Sequence, residues 1–187
     1  MDLIRLLEQF HPFNPQEATD RIEILRRLEN REPLYDRSNL SAHFTVSAWV
    51  TDPSRTKVLM AYHNLYDSWA WLGGHADGEQ DLLSVAIREV QEESGLAHLR
   101  PLSEDLFSVE ILPVSGHEKK GQYIPSHVHL NVTFLLEADP SLPLCSKPDE
   151  NCAVAWFSLD DAVAASSEAW FRQRIYSKLN KKLRQLA

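Results

Sequence analysis

Two periods alternate along this chain. Near the start, apolar residues recur every three or four positions: Leu3, Leu6, Leu7 and Phe10, and then Ile22, Leu25 and Leu28 with Arg and Glu between them. This spacing predicts two amphipathic helices, with Pro12 and Pro15 breaking the first and Pro33 ending the second. From Ala42 the period shortens. His43-Phe44-Thr45-Val46-Ser47-Ala48-Trp49-Val50 is β-branched and aromatic and predicts a strand. Asp52 to Arg55 reads as the turn after it, and Lys57 to Tyr62 as the returning strand. Further strands are expected at Leu106 to Val114, His127 to Leu136 and Ala153 to Phe157. The last leads into a helix beginning near Ser158, whose first turn carries Asp160 and Asp161, where acids suit the helix dipole. A final helix, from about Glu168 to Leu186, would turn Trp170, Phe171, Ile175 and Leu179 toward the body. Strands interleaved with helices predict an α/β sandwich. Residues 1–40 form a helical extension, a packing element or a surface for a second copy of the chain in a homodimer, and residues 41–187 form the main domain.

Composition narrows the classes. The chain has 187 residues, is 43% hydrophobic and 25% charged, and carries a formal net charge of -8. That excess of acid argues against binding duplex nucleic acid. A small phosphorylated substrate stays open, because a bound metal inverts the local sign. No apolar run is long enough to span a bilayer, and charges interrupt the N-terminal apolar stretch, so neither a membrane helix nor a signal peptide is expected. Cys145 and Cys152 lack metal-ligand spacing and are expected to be free thiols of a cytoplasmic protein.

The chemistry concentrates in residues 74–96. A glycine-rich acidic turn, Gly74-His75-Ala76-Asp77-Gly78, runs into a helix with Glu89, Glu92 and Glu93 at i, i+3 and i+4. At about 100° per residue, Leu83, Ala86, Ile87 and Val90 form one apolar stripe, and the three acids gather on an adjoining face. Three carboxylates so close repel, so a cation is expected among them. Oxygen-only ligands favour magnesium, manganese or calcium over zinc.

This stretch resembles the signature of the Nudix hydrolases. Gly74, Arg88, Glu89, Val90, Glu92, Glu93, Gly95 and Leu96 sit at the positions that signature specifies, and Gln80 stands where it has its first Glu. The resemblance spans roughly residues 42 to 165. The runs Leu72-Gly73-Gly74-His75-Ala76-Asp77-Gly78 and His127-Val128-His129-Leu130 look like one bacterial branch of the family. It implies an α/β/α sandwich with a mixed sheet, and Mg2+-dependent (or Mn2+-dependent) hydrolysis of a diphosphate bond in a nucleoside diphosphate linked to another group. By resemblance Arg88, Glu89, Glu92 and Glu93 are catalytic. Glu89, Glu92 and Glu93 with the backbone carbonyl of Gly73 hold the metal, and Arg88 orients Glu89. In the family the first Glu supports the Arg; Gln80 can still accept a hydrogen bond from Arg88, or Glu79 or Asp77 takes over. The general base lies among Glu89, Glu92 and the loop acid Glu150.

Other residues are candidates for substrate contact. His127 and His129 alternate along a strand and point to one face with Asn131; with no third ligand in view, they are read as contacts to phosphate or base in preference to zinc. His75 is read as a phosphate contact or a brace of its turn. Trp71 and Trp69 are aromatic faces for a nucleobase or parts of the core, and Lys119 and Lys120 are loop cations near distal phosphates or solvated. Two other readings compete. Isopentenyl diphosphate isomerase resembles this family but needs a cysteine before this signature (the box, residues 74–96), where this chain has none. A nucleotide-sensing module without catalysis would have lost the acids that are present here.

Overall fold

A computed structural model describes residues 2–119 and 121–186. Lys120 and the side chain of Lys119, the two loop cations considered above, lie outside the described residues. The chain forms helices α1 (Leu3–Gln9) and α2 (Pro15–Glu29), strands β1 (Ala42–Thr51), β2 (Lys57–His63), β3 (Ser68–Ala70) and β4 (Leu72–His75), and helix α3 (Leu82–Ser94). Strands β5 (Arg100–Pro101), β6 (Ser108–Val114), β7 (His117–Lys119), β8 (Gln122–Ile124), β9 (His127–Glu137) and β10 (Asn151–Ser158) follow. Helices α4 (Leu159–Ala165) and α5 (Ser177–Gln185) close the chain.

One mixed sheet carries the architecture. Its strands run β10-β2-β1-β9-β5, with β3 on β2, β4 on β1 and β6 on β9; β7 and β8 form a separate hairpin. β1 and β9 are parallel over their whole length, from Ala42 opposite Val128 to Thr51 opposite Glu137, and the other pairings are antiparallel. All ten residues of β1 are buried, because helices cover both faces of the sheet.

The two faces have different chemistry. On one, Phe44, Val46, Ala48 and Val50 pack with Leu82, Val85, Ala86 and Val90 of α3 and with Leu3, Leu7 and Ile24 of the N-terminal helices. On the other, Trp49 stacks on Tyr176 at 5.6 Å, within a cluster that includes Ile175, Leu179 and Leu183. Beside that cluster the second face is polar. Thr45 and Ser47 donate to Asn131 Oδ1 at 3.1 and 2.9 Å, and Asn131 Nδ2 donates to Glu110 at 3.0 Å. Lys178 of α5 reaches Glu110 at 2.7 Å and Glu17 at 3.2 Å, and Lys182 reaches Glu17 at 2.9 Å. Glu17, Glu110 and Lys178 are all buried, so this network fastens α2 and α5 to the sheet through paired charges.

Four expectations need correcting. Pro15 does not break a helix but begins α2 at its first turn, after Asn14, whose side chain accepts from the Glu17 N–H; proline lacks a donor that this position would leave unpaired. The same helix stops at Glu29, well before Pro33. The last helix opens with a π-helical turn, Phe171–Tyr176, and Trp170 is exposed while Ile175 and Leu179 are buried. In α3 the buried stripe is Leu82, Val85, Ala86 and Val90, with Leu83 and Ile87 only partly covered. That rotation matters, because it carries Glu93 onto the buried side.

Candidate functional site

The turn and the helix of residues 74–96 meet at their carboxylates. α3 is fixed at both ends: the Asp81 side chain caps its first turn, and Gly95, at φ 74°, ends it in the left-handed conformation that suits glycine. Asn151 Nδ2 donates to the Glu93 carbonyl at 3.1 Å and ties the last turn to β10. β4 lies against β1 with Gly74 opposite Val46 and Gly73 opposite Ser47. A side chain at Gly73 would collide with the Val46 carbonyl, and one at Gly74 would come within 2.5 Å of the Glu89 carboxyl. The two glycines therefore let the strand run directly under the acids of α3.

The three acids have different surroundings. Glu93 is buried and accepts a hydrogen bond from the Gly73 N–H at 3.2 Å. Burial, with Glu150 and Glu89 adding repulsion, pushes its carboxyl up to about 8. Glu89 is half-buried, and burial followed by the charge of Glu92 raises its pKa as well. Glu92 is exposed and pairs with Lys147 at 2.9 Å; Lys147 also meets Glu150 at 3.0 Å. The Lys147 ammonium is held well above its ordinary value, chiefly by the hydrogen bond to Glu92. Arg88 lies 3.6 Å from Glu89 and 3.9 Å from Glu92. The structure thus brings Gly73, Arg88, Glu89, Glu92, Glu93 and Glu150 together.

The turn acids are engaged elsewhere. Asp77 pairs with Arg37 at 2.6 Å, and Glu79 accepts from the Gln80 and Asp81 N–H groups at 2.8 and 3.0 Å. Among the described residues no hydrogen bond joins Gln80 to Arg88, whose partners are Glu89 and Glu92.

These donors suit a divalent cation. Carboxylate oxygens crowded where their ionised forms repel are hard ligands, and the pKa values of Glu89 and Glu93 are raised first by burial and then by neighbouring acids, both of which a bound cation would offset.

The histidines gather on the polar face of the sheet. His43 lies opposite His129 in the parallel pairing, and His75 lies opposite Thr45, two residues along β1. One ligand atom from each of His43, His75 and His129 lies within 4.8 Å of the other two, a group that could hold a metal ion. His127 Nε2 is 3.2 Å from His129 Nε2. Burial lowers the pKa of His43 and pushes His129 down to about 2, with the neighbouring histidines adding to the effect.

The tryptophans pack edge-on against other rings. Trp71 meets Tyr176 at 5.8 Å and Phe171 at 6.0 Å; Trp69 meets Phe157 at 4.8 Å and Tyr62 at 5.5 Å. Cys145 and Cys152 are free and exposed. Among the described residues no helix is long and apolar enough to cross a membrane.

Two participants escaped sequence reasoning. Nothing local in the sequence links Lys147 to an acid 55 positions away. The sequence marks His43 only as a strand residue, and the strand pairing sets it beside His129.

Solved structures share this architecture. An Ap4A hydrolase from C. elegans aligns with a TM-score of 0.54 at 20% identity, covering 76% of this chain and 95% of that one. The E. coli dihydroneopterin triphosphate pyrophosphohydrolase aligns at 0.53 and 17% identity, covering 77% and 96%. A NUDIX family hydrolase from Clostridium perfringens aligns at 0.50 and 22% identity, covering 78% and 98%. They come from an animal and two bacteria and single out no branch. A comparison with curated proteins finds no matching sequence. The NUDIX domain model matches residues 41–179, which takes in β1, the box and its helix, β9, β10 and the start of α5. The chain belongs to the NUDIX family.

Proposed function

We propose that the protein is a Mg2+-dependent hydrolase of the diphosphate bond in a nucleoside diphosphate linked to a second group, with Mn2+ as an alternative ion. The observation that carries this reading is the buried carboxyl of Glu93, held by the Gly73 N–H, beside Glu89 over Gly74. A purely structural acid in that place would be costly, because desolvation penalises its charged form.

Glu89 and Glu93 would hold the cation, with Glu92 and the Gly73 carbonyl as further donors. A bound divalent cation neutralises diphosphate oxygens, lowers the pKa of water and aligns nucleophile with leaving group. The chain's own residues supply the rest. Arg88 lies between Glu89 and Glu92 and limits their repulsion, which keeps both carboxylates on one side of the helix. The proton acceptor for the attacking water lies among Glu89, Glu92 and Glu150. Lys147 bridges the last two, holding the loop acid against the box while the substrate binds. Gly73 and Gly74 leave backbone in place of side chains beside the acids, so a bulky phosphate can approach.

The test is a screen of the purified protein with Mg2+ against nucleoside triphosphates, nucleotide sugars, dinucleoside polyphosphates and coenzyme-type diphosphates, with product identification. Cleavage between two phosphates, abolished by EDTA, is expected for at least one class. Failure with every class, together with no Mg2+ binding by calorimetry, would refute the proposal.

A further inference from the structure

The polar face of the sheet holds a second set of potential ligands, apart from the carboxylates of α3. β9 presents His127 and His129 on one face, β1 sets His43 directly opposite His129, and β4 adds His75 beside Thr45. Ring centroids within this group lie 4.8 Å apart for His43 and His127, 5.0 Å for His43 and His129, and 4.9 Å for His75 and His129. We propose that His43, His75 and His129, with His127 as a fourth ligand, form a site for a borderline transition-metal ion, zinc foremost, distinct from the glutamate site.

The geometry is close to what such an ion requires. Zinc–nitrogen bonds of about 2.0–2.1 Å in a tetrahedron place ligand nitrogens about 3.3 Å apart. His127 Nε2 and His129 Nε2 already stand 3.2 Å apart. One ligand nitrogen from each of His43, His75 and His129 lies within 4.8 Å of the other two, so small side-chain adjustments would bring them to that spacing.

Hydrogen bonds fix which nitrogens are available. His43 Nδ1 faces the Asn39 carbonyl at 3.1 Å, and His127 Nδ1 faces the Pro125 carbonyl at 2.9 Å. A carbonyl only accepts, so Nδ1 carries the proton in both rings and Nε2 keeps its lone pair. This is the outer hydrogen bond that orients histidine ligands on metals. His43 Nε2 is buried without a hydrogen-bond partner among the described residues. A buried polar atom left so is destabilising, and a metal bond removes the deficit.

The donor set discriminates between ions. Neutral imidazoles suit zinc, copper or nickel, whereas magnesium takes oxygen ligands and water. Contact with substrate phosphate is the competing role, and it favours protonated rings. His43 and His129 sit where burial keeps them neutral.

The experiment uses the full-length chain without a histidine tag, stripped with EDTA and dialysed into excess Mg2+ so that the glutamate site is occupied. Zn2+ is then titrated by calorimetry and Co2+ by visible spectroscopy. One ion per chain is expected, with the ligand-field bands of tetrahedral cobalt. His43→Ala and His129→Ala should each weaken binding by about 100-fold, while Glu93→Gln leaves it unchanged. Ring-nitrogen NMR of the wild type covers the case in which the variants fail to fold: zinc should shift the Nε2 signals of His43 and His129. Absence of stoichiometric binding, unshifted ring nitrogens, binding that survives both histidine substitutions, or binding lost in Glu93→Gln would each overturn the proposal. The outcome leaves the hydrolase assignment untouched, because Mg2+-dependent turnover is read separately.

Discussion

Glu93→Gln separates what the buried carboxylate costs the fold from what it contributes to the site. Glutamine keeps the volume and the oxygen that accepts from Gly73, and removes the charge. In the folded protein the Glu93 carboxyl rises from 4.5 to about 8, chiefly through burial. The folded chain therefore keeps a proton that the unfolded chain has already lost. Stability from this group is complete below pH 4.5 and declines as pH rises toward about 8. At about 1.4 kcal/mol per pH unit, the whole span amounts to roughly 5 kcal/mol. Urea denaturation in EDTA between about pH 5 and pH 8.5 reads it directly. The wild type should lose several kcal/mol across that range, and Glu93→Gln should lose much less and be the more stable protein at the alkaline end. Saturating Mg2+ should restore the wild type there, because an ion that binds only the folded state stabilises it, and should do little for the variant. Parallel pH profiles for the two proteins in EDTA would refute the reasoning.

Three other predictions probe the neighbours. Gly74→Ala places a methyl group against the Glu89 carboxyl, the free end of a flexible side chain, so Mg2+-dependent turnover should fall at least about 10-fold while the melting temperature barely moves. Lys178→Met leaves Glu17 and Glu110 buried with one cation fewer, which should cost about 3–5 kcal/mol in urea denaturation; a loss below about 1 kcal/mol would show that the pairs do little for the fold. Gln80→Glu should change kcat/KM by no more than a few-fold, since Arg88 already has Glu89 and Glu92 as partners. A gain of about 100-fold, the upper range for an outer support of a metal site, would show that the natural turn is impaired.

How much the sequence disclosed depended on whether the signal was local. Strands β1, β2, β9 and β10 were legible because each is a run of β-branched and aromatic residues long enough to show its period. The short strands β3, β4, β5, β7 and β8 were not, since two to four residues carry no period and pairing alone makes them strands. The box helix is legible as a helix, but its apolar pattern leaves the orientation open by about one residue. Leu82 and Leu83 are equally apolar, and only the packing of α3 on β1 decides that Leu82 is buried and that Glu93 goes in with it. The same limit hid the partners of the box: Lys147 reaches Glu92 across 55 positions, and His43 meets His129 only through the parallel pairing of β1 with β9. The network of Glu17, Glu110, Lys178 and Lys182 was invisible for the same reason, as each residue taken alone reads as a solvated charge.

The central claim is that the carboxylates of α3 carry out metal-dependent cleavage of a diphosphate. The most direct measurement is Mg2+-dependent turnover of the best substrate from the screen, by the wild type and by the double variant Glu92→Gln, Glu93→Gln, with circular dichroism to verify folding. The account predicts a folded double variant with turnover lower by at least about 1,000-fold, on the scale of losing a main transition-state charge stabiliser. A folded double variant that keeps wild-type turnover would contradict it.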